Sequence, residues 1–544
     1  MDSLDPIDQV LAYHERTKHH FHRYARGPGY LDWATQPDPF RRYLGATRLP
    51  LEHVAPSKGP FYDDAFMDRR IQPASVDRRS ISQLFYDSLA LSAWKQAGTA
   101  RWSLRVNPSS GNLHPTEGYL LCGDIPDLCD SPLLAHYAPK EHTLEVRALI
   151  LATLWSSIFS GLPRASVLIG LSSIHWREAW KYGERAYRYC QHDVGHALAA
   201  LSIAAAGLGW KAILLDELGT EELRVLLGLT EPHRPEVEHP DCLLAISPQI
   251  SSDLPLGLDC TRLPCLHKVE KQGVPNTLSP AHRLWKVIDE VTKWAEKPPT
   301  QGFYSNRLPA FSSASLCHPG ANLRRIIHQR RSAVAMDGYT EITRETFYKM
   351  LYRTLPYSAC APFNILSWPP QVHLAIFVHR VQELEPGLYF LVRDPVQLPV
   401  LQSTITGKFD WVEAPDVPQD LSLFRLAIGD ARALAQAISC HQEIAADGCF
   451  SLGMIARFEP ALREYGGWFY PRLYWECGAI GQILYLEAEA CGIRATGMGC
   501  YFDNPMHEVL GLRGNEYQSL YHFTVGGAIE DPRLQNLPAY PIIK

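Results

Sequence analysis

A chain of 544 residues is longer than one hydrophobic core supports, so two domains of roughly 200 residues or more are the natural prior. With 46% hydrophobic and 20% charged residues, its composition is that of an ordinary globular protein. A net charge of −6 gives no electrostatic case for nucleic acid or an anionic membrane, which leaves a small molecule or another protein as partner.

The N-terminal sequence, MDSLDPIDQVLAYHERTKHHFHRY, lacks the apolar core of a secretion signal, and a cytoplasmic location is expected. His19, His20 and His22 have no partner cluster that would complete a metal site, so they read as part of a solvated N-terminal helix. Residues 1–70 read as a wrapping segment and 71–250 as a first domain. The thirteen cysteines contain no C-x-x-C, which fits reduced thiols better than structural zinc or a disulfide framework.

Within the first domain, NPSSGNLHPTEGYLL (107–121) predicts a turn leading into a strand. Pro108, Ser109, Ser110, Gly111 and Asn112 can offer backbone N–H groups and side-chain donors and acceptors to a flat polar ligand. The same residues also serve ordinary turns. His114 and Glu117 flank the loop as supporting candidates. The apolar run 148–162 is short for a membrane span and predicts a buried segment.

Lys181 and Tyr182 open KYGERAYRY. A desolvated lysine, or a tyrosine beside a cation, can have its pKa moved toward neutrality and accept a proton. A surface lysine beside a packing tyrosine would look the same. The following HDVGHALAALSIAAAG is apolar nearly all round, which predicts a buried helix.

Residues 251–319 are rich in Pro, Ser and Gly and read as a linker that includes one helix, PAHRLWKVIDEVTKWAEK. The second domain, 320–544, opens with two predicted helices around a turn at Asp337-Gly338. Arg330-Arg331-Ser332 is placed inside the first of them, where a guanidinium and a hydroxyl could grip a phosphate. Two strands follow, VHLAIFVHRV and GLYFLV, around Pro386-Gly387. A second buried helix, WECGAIGQILYLEAEACG, precedes Gly492 to Tyr501, where closely spaced glycines allow backbone to approach a ligand.

The chain also matches itself at one offset, 465 − 182 = 283. Tyr182 and Gly183 fall on Tyr465 and Gly466, Tyr187 on Tyr470, Gly195 on Gly478, Gly209 on Gly492 and Gly228 on Gly511. Gly497 and Gly499, by contrast, fall on Leu214 and Asp216, and ligand contact in one copy only is the expected reason.

These pieces together resemble the nitroreductase-like flavoprotein superfamily, and within it the SagB-type, thiazole/oxazole-forming dehydrogenase branch, over residues 75–250 and 320–535. The resemblance implies an α+β fold of two tandem domains, each an antiparallel-rich sheet flanked by helices, forming an intramolecular pseudo-dimer. Family members are homodimers with FMN at the interface, an R-x-S segment and a glycine loop coming from one subunit and a P-S-S-x-N loop from the other. Carried over, FMN would contact Arg330, Ser332, Gly497, Met498, Gly499 and Cys500 from the second copy. The first copy would add Pro108, Ser109, Ser110 and Asn112.

Arg533 is the candidate for the family's basic residue near the C-terminus. Lys181 and Tyr182 match the K-Y-G-x-R-x-Y-R segment of azoline-oxidising dehydrogenases, which implies a catalytic role. The second copy's own loop, LPYSACAPFN, has lost the serine pattern, and Arg78-Arg79-Ser80 has no glycine loop to serve. One competent site and one degenerate site are therefore expected. The implied function is an FMN-dependent oxidoreductase acting on a small-molecule or peptide-like substrate, in the specific case azoline-to-azole oxidation with biosynthetic protein partners. An NAD(P)H-dependent nitro, quinone or ene reductase and a catalytically inactive flavin-binding scaffold are the alternatives.

Overall fold

The computed structural model describes residues 5–56, 59–68, 70–230, 235–250, 257–301, 318, 320–357 and 361–541. Most of the Pro/Ser/Gly-rich stretch after Lys297, and the centre of LPYSACAPFN, lie outside the described residues.

Two seven-stranded antiparallel sheets dominate the α+β fold. The first runs Arg48–Pro50, Thr143–Leu149, Leu133–Ala138, Thr116–Cys122, Val167–Ser173, His239–Ser247 and Lys211–Leu214. The second runs Val412–Glu413, Leu423–Ile428, Gly387–Leu391, Val372–Val378, Phe450–Arg457, Tyr517–Gly526 and Arg494–Met498. Apart from the edge strands Arg48–Pro50 and Val412–Glu413, which enter at different points of the chain, strand order and connection are the same in both, and the offset of 283 that carries Tyr182 to Tyr465 also carries Val167, where one central strand starts, to Phe450.

Both faces of each sheet are buried, as the two-residue strand period shows. In Thr116–Cys122, Leu120 and Cys122 join the large central core, while Tyr119 and Leu121 join a smaller outer one. In Val372–Val378, Leu374 and Ile376 face the central core, while Ala375 and Phe377 face the outer one.

The central core is built around two long helices, Ala186–Gly207 and Tyr470–Ala490, which match the predicted buried helices. They cross at Gly195 and Gly478. A Cβ on Gly195 would lie 2.9 Å from the Gly478 Cα, and one on Gly478 would lie 2.8 Å from the Gly195 Cα. Each glycine thus packs against its own counterpart in the other half, the self-complementary contact of a two-fold interface.

The chain ends cross between the halves. The first helix, Pro6–Arg16, sits against the second half, with His14 bonded to Tyr470 at 3.2 Å and Arg463 paired to Asp8 at 2.9 Å. The C-terminal strand Gln535–Leu537 pairs with Leu91–Ala97, which forms a hairpin with Ala100–Arg105 in the first half.

Three local expectations change. The N-terminal helix ends at Arg16, and His19 is buried behind it, accepting the Ala25 N–H at Nδ1 (2.9 Å), instead of lying on a solvated helix. The run 148–162 is largely at the surface: its helix, Ala152–Phe159, buries only Ile158 and Phe159. The helix that was to contain Arg330-Arg331-Ser332 spans only Leu323–Gln329, capped by Asn322, and the triplet leaves it in extended backbone. No helix among the described residues is long and apolar enough to cross a membrane.

Candidate functional site

The loop Pro108–Asn112 follows the hairpin strand Ala100–Arg105 and is fixed from several sides. The His114 N–H donates to the Ser109 Oγ (2.8 Å), and the Asn112 Nδ2 donates to the Ser103 carbonyl (2.7 Å). The Ser110 N–H donates to the Asp193 carboxylate (3.1 Å), on the central helix of the first half. Gly111 turns with φ +58°, and a Cβ there would meet the Tyr182 hydroxyl at 2.5 Å and the Lys181 Nζ at 3.1 Å. The Lys181–Tyr182 pair therefore lies directly against this loop, the Lys181 Nζ 5.3 Å from the Tyr182 ring centre.

Arg330 arrives from the second half. Ser332 bridges to Ala495 in extended backbone, which explains why the triplet leaves the helix. The Arg330 guanidinium donates to the Arg105 carbonyl (3.0 Å) and lies over the Tyr485 ring at 4.9 Å. The Tyr485 hydroxyl bonds the Ser332 hydroxyl (2.9 Å) and accepts the Gly497 N–H (3.0 Å). One tyrosine thus ties the phosphate-grip candidate to the glycine loop.

Pro108, Ser109 and Asn112 from the first half, with Arg330 and Ser332 from the second, line one cavity of about 220 Å³. Arg105 and Arg331 line it too. Among the described residues none of the three guanidinium groups makes an ion pair, and the buried Arg105 and Arg330 Nε atoms lack partners. Burial lowers the pKa of Arg330 and brings Arg105 to about 10. Burial and then the neighbouring Arg330 bring Arg331 to about 10. Glu530 and Asp531 are the carboxylates in its lining, and Glu530 and the nearby Glu117 act on Arg331 and Arg105 through space without forming ion pairs.

Closely placed guanidinium groups that make no ion pair are costly to bury, and they mark where an anion would be favoured. The donor set fits the phosphate end of FMN. The volume is below the ~300–1,000 Å³ of a typical small-molecule pocket, so it matches one end of a nucleotide.

The other sequence candidates lie elsewhere. Arg533 is 85% exposed and paired to Asp531 at 2.8 Å, so it does not reach the cavity. The structure supplies Arg105 and Arg331 in its place. Met498 is buried in the outer core of the second half. At Gly497 and Gly499 the space that a Cβ would fill is taken by the Tyr521 hydroxyl and the Tyr189 ring, so room for protein aromatics accounts for these glycines. The Cys500 Sγ lies 2.7 Å from the Cys440 Sγ.

His114 is buried and lines the cavity, its Nε2 3.4 Å from the Ser103 carbonyl. Glu117 belongs to a buried network with Arg177 and His136, the His136 Nε2 lying 2.9 Å from it. In the first half, Ser80 caps its own helix with Asp77, and Arg78 bonds the Pro50 carbonyl.

The proton chemistry also differs from expectation. Burial, and then Glu178, push the Tyr182 phenol well above its usual pKa, so it stays protonated as a donor. The groups moved toward neutrality are two carboxyls beneath the serine loop. Burial raises Asp193 to about 7, and burial together with Asp193 raises Glu178. Glu178 and Asp193 were missed. The signal available was one acid three residues before Lys181 and another inside a helix that is buried along nearly its whole length.

A nitroreductase family model matches residues 69–245. No curated protein matches the chain. Among solved structures, a proposed nitroreductase from Anabaena variabilis superposes with a TM-score of 0.68 at 22% identity, covering 96% of this chain and 99% of its own. The E. coli microcin synthetase McbBCD complex matches with a TM-score of 0.28 at 15% identity, over 42% of this chain and 79% of that one. An FMN-dependent nitroreductase from Clostridium difficile gives 0.22 at 11%, over 39% and 89%. Of these three, the Anabaena likeness covers both halves, and at its identity it establishes architecture: this chain has a nitroreductase-type α+β fold along nearly its whole length, with a nitroreductase-family match at 69–245.

Proposed function

We propose that the chain is an FMN-dependent oxidoreductase built from two copies of one domain, and that it withdraws hydride from a small-molecule or peptide-like substrate such as an azoline ring. The observation carrying this reading is the shared cavity, where serine-loop residues of one half face Arg330, Arg331 and Ser332 of the other with no carboxylate paired to the arginines. Bound FMN would supply the two-electron acceptor.

Arg330 and Arg331 would neutralise its phosphate, and Ser332 would donate to it. Ser109 and Asn112 hold the other wall. Lys181 accepts the substrate proton, and the protonated Tyr182 beside it donates a hydrogen bond.

Flavin stoichiometry per chain tests the cofactor assignment. One equivalent is expected; two, or none after reconstitution, would overturn it. Anaerobic mixing tests the reaction class, a thiazoline-bearing peptide being expected to bleach the flavin. Bleaching by NADPH alone would turn the assignment to a nitro, quinone or ene reductase. Lys181→Ala should lower the rate of bleaching about 10²–10⁴-fold with flavin retained.

A further inference from the structure

Cys440 and Cys500 are brought together from distant parts of the second half. Their sulfurs are 2.7 Å apart, against 3.9 Å for Cys122 and Cys129. Cys440 is held in position by unusual backbone: it and His441 both adopt left-handed conformations, φ +55° and +60°, in the turn after the helix Arg432–Ile438. Few non-glycine residues sit there without a constraint. Cys500 follows the glycine loop directly. Gln442 donates to its carbonyl (2.9 Å), and Arg185 donates to the carbonyl of Gly499 (3.2 Å).

The two thiols are unequal. The hydrogen bond shared with Cys440, and then the Arg185 charge, lower the pKa of Cys500. The same bond, and then burial, raise that of Cys440. Both are only half-buried, whereas Cys122 is fully buried. Asp503 also faces the pair, its charge compensated by Arg185 at 2.9 Å and Arg188 at 2.8 Å. Tyr24, from the N-terminal segment, is half exposed beside them. The arrangement holds a low-pKa attacking thiol and a resolving thiol in contact with it, both on partly exposed residues.

We propose that Cys440 and Cys500 form a redox-active dithiol site that reacts with low-molecular-weight disulfides. The Cys500 thiolate attacks one sulfur of the small disulfide, forming a mixed disulfide and releasing one thiolate. The Cys440 thiol, losing its proton, then attacks the Cys500 sulfur and releases the second small thiol. The two protein thiols together give up two electrons and two protons, and the small disulfide is reduced to two thiols. The product ties the glycine loop to the turn at 439–442. This site does not depend on the flavin reading.

The full chain would be incubated with oxidised glutathione and mapped by mass spectrometry without reduction. The expected product joins the peptides carrying Cys440 and Cys500. Cys440→Ser should stop at a glutathione adduct on Cys500, whereas Cys500→Ser should carry no adduct on Cys440. A thermal melt of each variant checks folding, and Cys440→Ala replaces the serine variant if that one is unstable. A chain that leaves both thiols free while other cysteines react, or one that takes adducts equally on both, would overturn the proposal.

Discussion

The two halves carry cavities at corresponding places, and the larger is the poorer anion site. The cavity of about 220 Å³ has Arg105, Arg330 and Arg331 with no ion pairs among the described residues. Its counterpart, about 570 Å³, is lined by Arg70, Lys211, Ser202 and Asn364. By the offset of 283, Lys211 stands where Arg494 does and Ser202 where Tyr485 does. Both of its cations are neutralised in place, Arg70 by Asp64 at 3.3 Å and Lys211 by Asp68 at 3.1 Å. Deeper in, Gly499 lies against Tyr189, while the equivalent Asp216 pairs with Arg472 at 3.2 Å. Arg494, the counterpart of Lys211, is likewise paired, to Glu489 and Glu530, so the two cavities differ in the three arginines without ion pairs more than in room.

The sharpest way to break this comparison is to remove one arginine from each cavity. Arg330→Ala should weaken flavin binding about 10–100-fold, the worth of a charge-assisted hydrogen bond of roughly 1.5–3 kcal/mol. Arg70→Ala should leave flavin affinity unchanged. Fluorescence titration of the apoprotein measures both, and equal losses would show that the two cavities are equivalent.

The next effect tests whether the halves share one two-fold contact. Gly195→Ala and Gly478→Ala each insert a Cβ against the opposite helix backbone, which cannot move aside as a side chain can. Each should cost about 1–3 kcal/mol by urea unfolding. Together they should cost less than the sum, because one helix shift relieves both clashes. Purely additive losses would mean that the two glycines do not share a contact.

What the sequence displayed, and what it hid, follows the same line. The glycines matched by the offset are ones the backbone requires. Gly183 and Gly466, Gly209 and Gly492, and Gly228 and Gly511 all have positive φ, and Gly195 and Gly478 form the helix crossing. Such constraints are local or self-complementary, so they mark the sequence at fixed positions. The serine loop and Arg330 stood out as short motifs, and the fold brings them to one cavity. Arg105 did not stand out, because its place at the cavity without an ion pair appears only in three dimensions. Arg533 lies exposed outside the cavity, its charge taken by Asp531 two residues before it. Glu178 and Asp193 were invisible as proton groups because burial in the assembled fold is what moves them.

The smallest predicted effect addresses those two carboxyls. Asp193 has an unfolded pKa near 3.8 and a folded one of about 7, raised by burial. The folded state therefore binds the proton more tightly. That contribution to stability is complete below the unfolded value and is lost as pH rises through about 7. The slope for one such group is at most about 1.4 kcal/mol per pH unit, and Glu178, competing for protonation in the same pocket, spreads it over a wider range. Asp193→Asn keeps an oxygen to accept the Ser110 N–H and cannot ionise. Its thermal midpoint should fall less than that of the native chain between pH 5 and 8, with the two closest at the acid end (on the order of 1–3 °C per step, as for a large domain). Parallel curves would mean that Asp193 is already ionised in the folded state, and that the loop rests on a carboxylate instead of a protonated acid.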